Sequence, residues 1–119
     1  MKDFSFTDTR VHRTFEFTAD HIGSASSRRD GSRRWSTVDI FRTEAGNYVL
    51  VKQGHTIIPG ETTRVSVSVS ETPEGVIESA HTTDPDGATF LTNVARTALE
   101  TAGQHDDAIM LAYATERVA

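Results

Sequence analysis

The sequence predicts an α+β domain: an antiparallel sheet of four to five strands, drawn from the N-terminal and central chain, packed against one or two C-terminal helices. Three features of the chain point there. Aromatic and β-branched residues alternate with polar ones as far as Ser70, steps of three and four replace that alternation after Asp84-Pro85-Asp86-Gly87, and turn-forming residues separate the runs. A chain of 119 residues fits one domain over 1–119.

The first strands follow from Phe4 and Phe6, then Phe15 and Phe17, each pair set among polar neighbours at period two. From Gly23 to Arg34 the chain is mostly Gly, Ser, Asp and Arg around Asp30-Gly31, with too little apolar surface to bury, which predicts a flexible basic loop at 23–34. Trp35 to Thr43 puts Val38 and Ile40 on one face and Thr37, Asp39 and Phe41 on the other. Gly46-Asn47 then supplies the turn of a hairpin whose return strand is YVLVKQG. In TTRVSVSVS, residues 62–70, Val65, Val67 and Val69 face one way and Ser66, Ser68 and Ser70 the other, so one face is buried and one is wet.

Pro73-Glu74-Gly75 reads as a turn, followed by a short strand from Val76-Ile77 that returns along the valine strand. Phe90, Leu91, Val94, Ala95, Ala98, Leu99 and Ala102 form the apolar stripe of a helix ending at Gly103. Beyond it, Asp106-Asp107 suits the N-terminus of a second helix. The alternation of Ile109, Leu111 and Tyr113 leaves an edge strand over 106–117 as the alternative to that helix.

Composition removes several classes of function. The chain has no cysteine, so disulfides, thiolate metal ligands and thiol nucleophiles are absent together. The opening MKDFSFTDTR has charges around isolated phenylalanines and no apolar run, which leads to the expectation of a cytoplasmic protein without membrane contact. Richness in Asp, Arg, Thr and Ala with little Lys points to a high-GC bacterium or one of its phages. The net charge of -5 is unevenly spread: residues 1–64 hold ten of the twelve Lys and Arg against eight of the seventeen acids. A basic patch on an acidic body still acts locally, because screening confines each field to about 10 Å at 0.1 M salt.

The five histidines, His12, His21, His55, His81 and His105, match no metal-ligand spacing. Asp20-His21 is a sequence-adjacent acid–imidazole pair of the kind that could form a dyad, but neighbours in a chain rarely face one another. Ser24 to Ser27 lack the elbow of a serine nucleophile, and the glycine spacings fit no phosphate or dinucleotide loop. Asp84 with Asp86, and Asp106 with Asp107, are explained as charges at helix starts. No catalytic residue, metal or cofactor is assigned.

What remains is SSRRDGSRRW, residues 26–35, where Arg28, Arg29, Arg33 and Arg34 gather ahead of the only tryptophan, Trp35. Arginine and tryptophan are enriched at the centres of protein interfaces. They also suit phosphates and stacked bases, and the bland alternative is a solvated loop with the indole turned inward. The leading expectation is a non-enzymatic protein–protein interaction module, accessory, regulatory or inhibitory, with a protein partner on these five residues. Nucleic-acid binding through 28–35 is the first alternative. A small ligand-binding or enzymatic domain, with His55 or His81 in a pocket between sheet and helix, is the second. Strand 62–70, if at an edge, would admit a second copy as a homodimer. Helix faces bearing Glu100, Asp106, Asp107 and Glu116 offer an acidic contact for a basic protein.

Overall fold

The computed structural model describes residues 1–115. Five strands, β1 (Lys2–Asp8), β2 (Arg13–Ser26), β3 (Arg34–Thr43), β4 (Tyr48–Thr56) and β5 (Arg64–Ser70), follow one another as an antiparallel meander in the order β1-β2-β3-β4-β5. Helices α1 (Pro73–Ala80), α2 (Asn93–His105) and α3 (Asp107–Ala114) come after it. A two-stranded ribbon of β6 (Thr82–Thr83) and β7 (Thr89–Phe90) lies between α1 and α2. This is the α+β architecture the periodicities predict, with three helices rather than one or two.

The sheet has a core on each face. On the helix side, Ile22, Val38, Ile40, Tyr48 and Leu50 pack with Val76, Leu99 and Ile109. On the other side the sheet curls over its own aromatic residues, Phe4, Phe6, Phe15, Phe17 and Phe41, with Ala19, Val49, Val51 and Val67. Phe41 is central there, its ring 4.5 Å from that of Phe4 and 5.2 Å from that of Phe17.

The curl is closed at one end by Asp8. Thr9 N donates to Val65 O (2.9 Å), and Val67 N donates to Asp8 Oδ2 (2.9 Å), so the end of β1 lies along β5. Arg10 completes the clasp: its backbone N and Nε donate to Asp8 Oδ1 (2.8 and 3.2 Å), and Nη2 to Asp8 Oδ2 (2.7 Å). The Asp8 side chain is 1% exposed, and the bond from Arg10 holds its carboxyl well below the usual carboxylate range against the opposing effect of burial. The edge of β5 is therefore largely occupied. Val65 and Val67 spend their outward backbone groups within the molecule, which works against the predicted pairing of strand 62–70 with a second copy.

Several sequence expectations are corrected. The loop expected at 23–34 is only 27–33, because β2 runs on to Ser26 and β3 begins at Arg34. A bulge between His21 and Gly23 breaks the alternation, so that Ile22 and Gly23 both turn to the helices. Gly23 is there for close packing: a Cβ on it would lie 2.5 Å from Ala98 O on α2 and 2.8 Å from Ala102 Cβ. The turn and strand expected at 73–77 are helix α1, with Thr72 as N-cap accepting from Gly75 N (3.1 Å), Pro73 at its start, and Val76 and Ala80 buried one turn apart. Helix α1 lies beside β5, so the serine face is half-buried, while Val69 on the other face is 55% exposed.

Helix α2 starts at Asn93 rather than Phe90, which pairs with Thr82, and it passes through Gly103. Asp84 serves the ribbon turn, accepting from Asp86 N (2.9 Å) and Ala88 N (3.0 Å), not a helix. Residues 107–114 resolve as helix, capped by Asp106 through Ala108 N and Ile109 N. Asp106 is buried, not part of an acidic surface. Tyr48 Oη donates to its Oδ2 (2.9 Å) and Arg42 Nη1 donates to the same atom (3.2 Å), which ties the α2–α3 junction to the β3–β4 hairpin. Burial and that bond to Asp106 push the Tyr48 hydroxyl up to about 12. Glu116 lies outside the described residues.

Two outcomes follow. Asp8→Asn removes the charge that holds Arg10 and Val67 N, and should cost about 2 kcal/mol at neutral pH in a denaturant titration. Since the native carboxyl titrates below the unfolded one, its contribution is complete above roughly pH 4 and falls as the pH drops further. The wild-type and Asn midpoints should therefore converge in acid. Gly23→Ala must push β2 from α2 and should cost about 1–3 kcal/mol; an unchanged midpoint would contradict the packing.

Candidate functional site

The basic segment forms the outer end of the β2–β3 hairpin. Its loop is hydrogen-bonded: Ser27 N donates to Ser36 O (2.9 Å), Ser36 N to Ser27 Oγ (2.8 Å), Ser32 N to Arg29 O (3.0 Å) and Arg29 N to Ser32 Oγ (2.9 Å). Ile57 N donates to Arg33 O (3.0 Å), binding the loop to the chain that follows β4.

Trp35 is half-buried in this end of the sheet, on the face that carries Thr37 and Asp39. Its cross-strand neighbour His55 stacks on the indole, with centroids 5.2 Å apart and planes 10° apart. The Arg28 guanidinium, just past the end of β2, lies over the ring 4.4 Å from the centroid. As these two groups come from the strands on either side of β3, both faces of the indole are occupied. His55 Nε2 is within hydrogen-bond distance of Thr37 Oγ1 (3.0 Å), which orients the imidazole.

The four arginines divide. Arg34 is a strut: Nε donates to Glu61 Oε1 (2.9 Å) and Nη2 to Glu61 Oε2, while Thr56 Oγ1 donates to Glu61 Oε1 (2.7 Å). These bonds, that from Arg34 foremost, hold the Glu61 carboxyl at about 2. Arg28, Arg29 and Arg33 are exposed and, among the described residues, have no carboxylate within 4.0 Å. The expected set is thus brought to one end of the molecule, with three guanidinium groups presented outward and the fourth committed internally. Beside it a depression of about 740 Å³ is lined by Arg34, Trp35, Ser36, Gly54, His55 and Arg64 among others.

Sequence reasoning missed His55 as the partner of Trp35 and gave no place to Gly54. Strand register alone would have paired Trp35 with His55, since the turn at Gly46 fixes the β3–β4 alignment.

The other candidates do not assemble. His21 Nε2 and Ser24 Oγ both bond Asp39 Oδ1 (2.8 and 2.9 Å), so the serine meets the carboxylate rather than the imidazole and no nucleophile is activated. Asp20 points to the opposite face of β2. His81 Nδ1 bonds Ile77 O (2.7 Å) at the end of α1. Among the described residues no group of three His, Asp or Glu side chains is placed to hold a metal ion, and no helix is long and apolar enough to cross a membrane.

The fold and this site define a curled antiparallel sheet backed by helices, with a basic, tryptophan-centred hairpin end. Comparison of the chain with protein-family models, curated proteins and solved structures yields no match.

The only tryptophan reads the site directly. His55→Ala uncovers one face of the indole, so emission should shift to the red and acrylamide quenching should rise; unchanged emission would mean the stack is not formed in solution.

Proposed function

We propose that the protein is a non-enzymatic protein-binding module that takes an acidic segment of a partner protein on the outer end of the β2–β3 hairpin. The observation that carries this reading is the unequal treatment of the arginines. Arg10, Arg34 and Arg42 each meet a carboxylate of the same chain, whereas Arg28, Arg29 and Arg33 meet none among the described residues, and Arg28 lies over the half-buried indole of Trp35. Guanidinium forks matched to carboxylates around one aromatic anchor are the residue types that dominate interface energetics. A regulatory or inhibitory role in a bacterium or phage belongs to the same proposal.

Nucleic-acid binding by base stacking is less well supported. With Arg28 on one face of Trp35 and His55 on the other, a base would have to displace one of them before it could stack. An enzymatic reading finds no activated nucleophile at the hydrogen-bonded groups described above.

The test compares wild type with the Arg28→Ser/Arg29→Ser/Arg33→Ser variant, first in capture of partners from a lysate of the source organism and then by calorimetry with the purified partner. The variant should stay folded, losing at most about 1 kcal/mol with the Arg28–Trp35 contact, and should lose about tenfold or more in affinity. Undiminished binding by the variant would refute the proposal. So would tight binding of single-stranded oligonucleotides that weakens steeply with salt, as counterion release requires.

A further inference from the structure

Gly54 lies inside β4, paired with Ser36 on one side and Arg64 on the other. Nothing in the fold calls for glycine there. It is not among the glycines of positive φ, and a Cβ built on it would meet no atom within 4 Å. Glycine in a strand interior costs roughly 0.5–1 kcal/mol relative to alanine and leaves no side chain to pack. An exposed strand glycine with neither a conformational nor a packing reason marks a surface kept clear for something outside the chain.

What it keeps clear is a trough of about 1,020 Å³ that runs from this end of the sheet past Lys52 to the near ends of the helices at Thr82 and Thr92. Its lining includes Arg10, His12, Lys52 and Arg64 and not one Asp or Glu, on a chain whose net charge is -5. The register fixes how the cations stand. Gly54 is opposite Arg64 and Lys52 is opposite Ser66, all on one face, so Lys52 and Arg64 are diagonal neighbours, roughly 7–8 Å apart at the backbone, over a floor of glycine and serine.

Among the described residues, Lys52 and Arg64 meet no carboxylate, and only Arg10 is paired, with Asp8. Lys52 is half-buried and its Nζ donates to a neutral acceptor, His81 O (3.0 Å); burial, and after it the nearby charge of Arg10, pulls its pKa down. Arg10 is held along one edge by Asp8 and leaves 61% of its side chain exposed. Arg64 has no carboxylate within 4.0 Å among the described residues, and its neighbour Glu61 is committed to Arg34 and Thr56. His12 keeps a left-handed backbone (φ 54°), unusual for a residue other than glycine, at the rim.

We propose that this trough binds a small phosphate-bearing molecule, its phosphate seated over Gly54 and Ser66 between Lys52, Arg10 and Arg64, with the hydroxyls of Thr62 and Thr82 as further donors. The volume is that of a small-ligand site. A compact dianion suits a point charge and a guanidinium fork set on either side of a bare floor. The site is separate from the outward arginines of the hairpin loop, so either reading can fail without the other.

The experiment titrates the isotope-labelled full chain with inorganic pyrophosphate at low ionic strength, followed by amide NMR and calorimetry. Binding should saturate at millimolar concentration or below, with shifts concentrated at Gly54, Arg64 and Ser66. Arg64→Gln and Gly54→Phe should each weaken it about tenfold or more, while Gly54→Phe, which gains a strand-favouring residue, melts no lower than wild type. Absence of saturation would overturn the proposal, as would shifts centred on residues 28–33 or spread over every arginine. Equal affinity for citrate would overturn the assignment to phosphate.

Discussion

A five-stranded meander has two free edges, and in this molecule one carboxylate brings them together. Asp8 accepts from Arg10 three times and from Val67 N once, so a group that would be costly to bury unpaired has its oxygens fully engaged. Because Arg10 is only two residues away in sequence, the ion pair forms within one turn, and of the bonds to the Asp8 carboxylate that from Val67 N reaches across from β5, beside the Thr9–Val65 bonds. A local motif thereby becomes a long-range closure. The curl it imposes lets Phe4, Phe6 and Phe17 cover Phe41, and it sets the β1–β2 turn, with Arg10 and His12, against the side of the trough.

Asp106 does the corresponding work on the other face. It caps α3 with one oxygen and takes Tyr48 and Arg42 with the other, so the helical layer is indexed to the β3–β4 hairpin rather than merely resting on it. Between these two anchored carboxylates the β3–β4 pairing is continuous from Arg42↔Tyr48 to Arg34↔Thr56, and its outer end carries both the Trp35 platform and the floor at Gly54. Charge is sorted along the same lines: Arg10, Arg34 and Arg42 hold the frame together, while Arg28, Arg29 and Arg33 at the hairpin's outer end meet no carboxylate among the described residues.

Much of the frame was legible in the sequence because it rests on local rules. The β3–β4 hairpin follows from Gly46-Asn47 between alternating runs, α2 from its apolar stripe, and the start of α3 from Asp106. Helix α1 was not, since Pro73 at a first helical position and Pro73 in a turn look alike, and its apolar pair Val76-Ile77 is too short to distinguish the two periods. Gly23 was misread for a related reason. Among serines it resembles loop composition, and only the surface of α2, some seventy-five residues on, shows that it is a point of close contact.

The site was legible in part. Arg28, Arg29 and Arg33 stand out by density alone, but the commitment of Arg34 depends on Glu61, which reaches it through a separate loop. Gly54 and Lys52 carry no local motif, and their meaning comes from register with Arg64 and Ser66. Everything at that end relies on the closure of the sheet by Asp8, and the most direct measurement is the carboxyl carbon shift of Asp8 followed by NMR into acid, read beside exchange of the Val67 amide. The account predicts a carboxyl that stays ionised below the ordinary aspartate range for as long as the fold persists, with the Val67 amide protected over the same span. An ordinary aspartate titration in a still-folded chain, with that amide exchanging freely, would contradict it.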